Sequence, residues 1–225
     1  MKRVFIGVGH GGTDSGAIGK GGALEKALNL SIAKACKAAL VRSGVQVQLS
    51  REKDEGDTVA QEVAECNKYA PDLAVDIHNN AGGGDGAEAY HTKSGGTGKK
   101  LAENILAQLA ALGQKNRGAK TRLNSSGADY YAFIRQTRAP AVIVECAFVD
   151  SDDIALIDTE AERAAVGEAI ARGILNTLGI KYSERGSTGS SVTYRVQCGA
   201  YSKRKNAEAQ VERLKKAGFS AIITK

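Results

Sequence analysis

No apolar run in this 225-residue chain is long enough to span a bilayer, so membrane insertion is not expected. Proline is nearly absent: two residues stand against 27 glycines, a balance that fits a compact α/β protein better than a disordered one. The four cysteines, Cys36, Cys66, Cys146 and Cys198, form no C-x-x-C pair and no zinc-ribbon spacing. They read as free thiols in a reducing compartment. The N-terminal "MKRVFIGVGH" carries two basic residues but lacks the apolar core and small-residue cleavage site of a secretory signal. Synthesis and folding in the cytoplasm, without a signal peptide, are therefore expected.

What the chain does contain is unevenly distributed. With 42% hydrophobic residues it can bury an ordinary core, as one main domain with a small appendage. From Val192 onward there are eight basic residues against two acidic ones, so the whole net charge of +6 lies in the tail. A neutral body with a basic tail suggests a working domain joined to a segment for an anionic polymer or surface. A solvated helix face without a partner is the competing explanation.

Along the body, "RVFIGV", "VQVQLSR", "DLAVDIH", "GAEAYHT", "YYAFIRQT" and "PAVIVECAF" read as strands. "GGALEKALNLSIAKACKAALVRSG", "TVAQEVAECNKYA", "GTGKKLAENILAQLAALG" and "TEAERAAVGEAIARGILNTLG" have helical periodicity. This alternation predicts an α/β fold: a three-layer, twisted, mostly parallel sheet with helices on both faces. "KYSERGSTGSSV" breaks the rhythm as a Ser/Gly linker. A short β-α-β unit follows it, very small to stand alone. The expected division is 1–180, a linker at 181–191, and 192–225.

The loop "GVGHGG" poses the functional question. Gly7, Gly9 and Gly12 have the G-x-G-x-x-G spacing of a dinucleotide-binding turn. That turn needs its third glycine to open a helix directly, and here a polar stretch of about ten residues intervenes. Arg51, ending the second strand, keeps a nucleotide-phosphate reading open. The alternative is a metal. His10 lies just past the first strand, His78 ends "DLAVDIH", Glu145 ends "PAVIVE", and Glu25 falls in the first turn of the first helix. In a parallel sheet all four collect at the carboxyl edge. Two imidazoles and a carboxylate form the protein ligand set of a catalytic zinc. A second carboxylate, on an apolar strand with a raised pKa, is then available for proton transfer. His91 lies mid-strand, away from that edge.

"VFIGVGHGGTDSGAIGKGGALEKALNLSIA", "DLAVDIHNNAGG" and "APAVIVECAFVDS" resemble the motifs of the type 3, zinc-dependent N-acetylmuramoyl-L-alanine amidases of bacterial autolysins and phage endolysins. The similarity runs from about residue 2 to 178. It implies a peptidoglycan hydrolase that cleaves the amide between the lactyl group of muramic acid and the first L-alanine of the stem peptide. Carried over by position, His10, Glu25 and His78 match the ligands of one Zn2+ ion and Glu145 the catalytic glutamate. Asn80, in H-x-N-A, matches a polar residue near the metal. Arg135, in "FIRQT", falls where members of that family often carry an arginine ahead of the "PAVIVE" strand, and a role in substrate contact is expected of it. Gly7-Val8 replaces the usual Asp-Pro, which removes a carboxylate behind His10 and motivates the alternative of a weak or inactive wall-binding homologue.

The tail "YRVQCGAYSKRKNAEAQVERLKKAGFSAIITK" resembles half of a sporulation-related (SPOR) repeat, a peptidoglycan-binding module. It lacks the aromatic pattern of an RNA-reading sheet, so peptidoglycan rather than nucleic acid is the expected partner. The resemblance implies a lysis enzyme, endolysin or mother-cell autolysin, that reaches the wall after release from the cytoplasm.

Overall fold

The computed structural model describes residues 1–184, 198–219 and 223. The chain divides into two units, Met1–Thr188 and Gly189–Lys225. In the first unit the order is β1 (Arg3–Val8), α1 (Glu25–Arg42), β2 (Gln46–Leu49), α2 (Val59–Tyr69), β3 (Leu73–Asn80), β4 (Ala87–His91), α3 (Gly96–Ala111), β5 (Asn116–Lys120), α4 (Ala132–Gln136), β6 (Ala141–Phe148) and α5 (Glu160–Leu178). The second unit holds α6 (Arg204–Lys216).

The six strands form one sheet in the order β2-β1-β3-β6-β4-β5. All pairings are parallel except β4 with β6. The mostly parallel sheet expected from the alternation is therefore present, with β4 and β5 reversed at one side. The reversal brings the carboxyl ends of β1, β3 and β6 to the same edge as the amino ends of β4 and β5.

Strand alternation builds two cores. Val4, Ile6, Val75, Ile77, Val142 and Val144 point to one face, where α1, α3 and α5 cover them. Phe5, Ala74, Ala141 and Ile143 point to the other, where Val63 and Cys66 of α2 and Phe133 and Ile134 of α4 complete a smaller cluster. These last strand residues precede the carboxyl ends, so the second helix layer stops short and leaves the edge open.

The helix ends follow from local chemistry. Thr58 with Gln61, and Thr159 with Glu162, form reciprocal capping boxes that start α2 and α5. Gly179 closes α5 in the left-handed conformation. Inside α5, Gly167 and Gly173 permit close approach: a Cβ there would lie 2.6 Å from the Ile32 carbonyl and 2.5 Å from Ile105 Cα. α5 is thereby wedged between α1 and α3.

Two segments differ from the sequence reading. "YYAFIRQT" is a single helical turn, α4, rather than a strand. Its aromatic and β-branched content favours β structure, yet Phe133 and Ile134 are consecutive and both enter the same core. A strand would send them to opposite faces. "NRGAK", assigned to no element from the sequence, is the edge strand β5; its charge and glycine disguise it, as is usual for protected edges.

The expected linker begins on residues that pack against the body. Arg42 donates to the Ser183 carbonyl and to the Tyr182 hydroxyl, at 2.8 and 2.9 Å, and Arg172 binds Glu184 at 3.0 Å. The rest of the linker, 185–191, lies outside the described residues. The two tail strands expected around 193–201 and 219–225 fall largely outside them as well; the helix between them is α6. No helix among the described residues is long and apolar enough to cross a membrane.

Candidate metal centre and active site

The loop after β1 is shaped by close approach to His78. A Cβ on Gly9 would sit 2.2 Å from the His78 ring, so only glycine lets the loop cross there. The next residue, His10, has φ 62°, a left-handed conformation that costs energy for a side-chain-bearing residue. That turn aims its imidazole back over the edge. Buried Arg51 pins the loop, donating to the carbonyls of Val8, Gly9, Lys26 and Lys53. With its guanidinium committed to backbone and only 2% exposed, Arg51 is not available to a nucleotide phosphate. The dinucleotide alternative loses its support, and the glycine loop serves to place His10.

His10, Glu25 and His78 converge, with one ligand atom of each lying within 4.8 Å of the others. Glu25, the first residue of α1, turns one carboxylate oxygen to His10 Nε2 and the other to His78 Nδ1, both at 3.2 Å. Glu25 also accepts from the backbone N–H groups of Ala17 and Asn79, at 2.9 and 3.1 Å, and from Asn29 Nδ2 at 3.3 Å. Burial works against its charge, but hydrogen bonds from the two imidazoles outweigh that, and its carboxyl is held well below the usual range. The remote ring nitrogens also face carboxylates: His10 Nδ1 lies 2.8 Å from Asp14 and His78 Nε2 3.3 Å from Asp76. The hydrogen bond with Glu25 raises the pKa of His10. For His78, burial opposes charge, but Asp76 and Glu25 outweigh it and raise its pKa well above 6.5.

The site thus draws positive charge to one point and presents nitrogen, nitrogen and oxygen donors to it. That donor chemistry fits a divalent cation such as zinc. Carboxylates behind both imidazoles fix ring orientation and tautomer, as metal-ligating histidines require. Neither was foreseen. Asp76 carries a readable signal, the D-x-H spacing that puts both residues on one strand face. Asp14, four residues after His10, supplies the carboxylate that Gly7-Val8 was expected to cost. The space above Gly7 is itself filled: a Cβ there would meet Glu62 at 2.3 Å and Asp76 at 2.6 Å. Burial, with Asp76 alongside, pushes the Glu62 carboxyl well above its ordinary value.

Glu145 stands beside the cluster. It is the register partner of His78 across β3 and β6, and of Glu88 across β6 and β4. His78, Glu145 and Glu88 therefore form one transverse row on the open face. Burial is the main reason that the Glu145 carboxyl is pushed up to about 7, with Glu25, Asp76 and Glu88 adding to it and His78 opposing.

Residues 4–176 match the family described as N-acetylmuramoyl-L-alanine amidase. The chain belongs to this amidase family. Residues 190–225 match the SPOR domain. The amidase is 31% identical over 227 residues to the N-acetylmuramoyl-L-alanine amidase CwlM of Bacillus licheniformis, covering 99% of this chain and 85% of that protein. It is 30% identical over 227 residues to a sporulation-specific N-acetylmuramoyl-L-alanine amidase of Bacillus subtilis, covering 99% and 84%. Its fold matches the catalytic domain of CwlV, an amidase from Bacillus (Paenibacillus) polymyxa, with a TM-score of 0.73 and 29% identity over 80% of this chain and all of that one. The amidase is a peptidoglycan hydrolase.

The remaining sequence-nominated residues have defined places in the amidase. Asn80, one strand step beyond His78, donates through Nδ2 to Glu88 at 3.3 Å and accepts from the Ala81 N–H at 2.9 Å. Arg135, on α4, holds the carbonyls of Asp129 and Tyr130 at 2.5 and 2.8 Å, so it braces the loop before α4. His91 is buried on the other side of the sheet, its Nδ1 donating to the Thr92 carbonyl at 2.8 Å. Cys146 is buried there too, where burial raises its thiol pKa and leaves it inert.

Proposed function

We propose that the amidase is zinc-dependent, with one ion held by His10, Glu25 and His78, and that Glu145 is its general base and acid. The observation that carries this reading is the convergence of the three ligand atoms within 4.8 Å, with Glu145 next to His78 in the same row. When bound, zinc supplies Lewis acidity: it makes water a stronger nucleophile and polarises a carbonyl oxygen. Asp14 and Asp76 orient the two imidazoles for that ion. Glu145 accepts a proton as water oxygen bonds to the lactyl carbonyl carbon. It then returns that proton to the alanine nitrogen as the carbon–nitrogen bond breaks, leaving a lactyl carboxylate and a free amino terminus. A carboxyl lifted to about 7 suits both directions of transfer. Asn80 and Arg135 support the substrate side, the first through Glu88 and the second through the loop before α4.

The same reading divides the chain into a catalytic region, 1–180, a linker, 181–191, and a wall-binding segment, 192–225. The family matches at 4–176 and 190–225 support that division. Similarity that extends through the tail to a sporulation-specific amidase favours a mother-cell autolysin that reaches the wall on lysis.

Elemental analysis is expected to find one zinc per chain. Mass spectrometry of digested wall should show new L-alanine amino termini. Glu145→Gln should keep its zinc while hydrolysis falls by about 10²–10⁴. Equal hydrolysis by variant and parent would refute the assignment of the base.

A further inference from the structure

The row of His78 and Glu145 continues to Glu88, on the side of Glu145 away from the metal ligands. Glu88 is 4% exposed, and its carboxylate is a hub. It accepts from Arg117 Nε at 2.7 Å, Lys120 Nζ at 2.5 Å, the Tyr90 hydroxyl at 2.9 Å and Asn80 Nδ2 at 3.3 Å. Two cations share one anion, so the group keeps an excess positive charge. The cations are not sealed in: the Arg117 and Lys120 side chains are 33% and 35% exposed. Arg117 also stacks on Phe148, 4.9 Å from its ring centre, and gives Nη1 to the Asp85 carbonyl. Its Nη2 makes no hydrogen bond among the described residues. The Asp85 carboxylate is engaged by Lys115 at 3.4 Å. A buried carboxylate that fixes two half-exposed cationic heads next to a reacting centre is built like a receptor for an anion.

Resting on the amidase reading, we infer that Arg117 and Lys120, positioned by Glu88, bind a free carboxylate of the stem peptide and so set the direction in which substrate crosses the site. The two parts of the substrate differ in charge. N-acetylated sugars are neutral, whereas the peptide carries carboxylates, so the cationic side takes the peptide. The glycan then lies towards β1 and β2. The hub is one to two strand spacings from Glu145, about 5–10 Å. That is the reach of two to three extended residues, so the carboxylate recognised belongs to the second or third residue of the peptide.

The test uses the full chain with soluble peptidoglycan fragments in two forms, native and with peptide carboxylates converted to amides. The parent should favour the native form at least tenfold in kcat/KM, mainly through KM. Lys120→Gln should lower that preference about tenfold, and Lys120→Arg should keep it. Equal kcat/KM for the two forms in the parent overturns the inference, whatever the variants do. No hydrolysis of either form by the parent would sink the amidase reading itself, and the inference with it.

Discussion

At the scale of single residues, the candidate metal site depends on what stands behind each imidazole. His10 has a strained backbone and a half-buried ring, so its orientation rests on the 2.8 Å contact with Asp14. Asp14→Asn keeps the size and removes the charge. The expected result is a zinc affinity lower by about 10–100-fold in chelator competition, with the fold unchanged by circular dichroism. Unaltered affinity would show that Asp14 does not orient the ring. His10, Glu25, His78 and Glu145 could be nominated from the sequence, because each lies near the carboxyl end of an apolar strand stretch or opens a helix. Asp14, Glu62 and Glu88 could not, since nothing in the local chain tells where a loop or neighbouring strand will lie.

At the scale of elements, the reversed pair β4 and β5 places a charged hub inside the sheet edge. Burial disfavours ionised Glu88, but Arg117 and Lys120 outweigh it and lower its pKa below the ordinary 4.5. A lowered folded-state pKa contributes stability above the unfolded value, and that stability is lost as pH falls below about 4.5. Thermal midpoints should therefore drop more steeply from about pH 5 downward in the parent than in Glu88→Gln. Parallel curves would refute a structural role for the ionised hub. On the other face, Gly173→Ala forces a methyl to 2.5 Å from Ile105 Cα. Overpacking of this kind costs about 1–3 kcal/mol, read as a melting shift of roughly 2–4 °C per kcal/mol. The reading of "YYAFIRQT" as a strand failed for a related reason. Composition favoured β structure, but the space beside α2 accepts two consecutive apolar side chains only from a helical turn.

At the scale of the whole molecule, charge is partitioned: the SPOR-matching segment carries the entire excess of +6. Tyr182, Ser183 and Glu184 are anchored to α1 and α5 through Arg42 and Arg172, so a chain ending at residue 184 retains every contact of the first unit described above. That truncated chain should melt as the parent's catalytic unit does and hydrolyse soluble fragments at the parental rate. Its co-sedimentation with intact walls should weaken and lose its salt dependence. Equal wall binding by both chains would show that the tail contributes nothing to retention.

Periodicity, glycine placement and residues near strand ends, all properties of the local chain, determined the α/β class and the two helix layers, and nominated four groups for the carboxyl edge of the sheet. The order and direction of strands and the Glu88 hub were decided only when distant segments packed. The reason is physical: an element's period is written within its own few residues, whereas partners across a sheet are chosen by burial and charge balance over the folded whole.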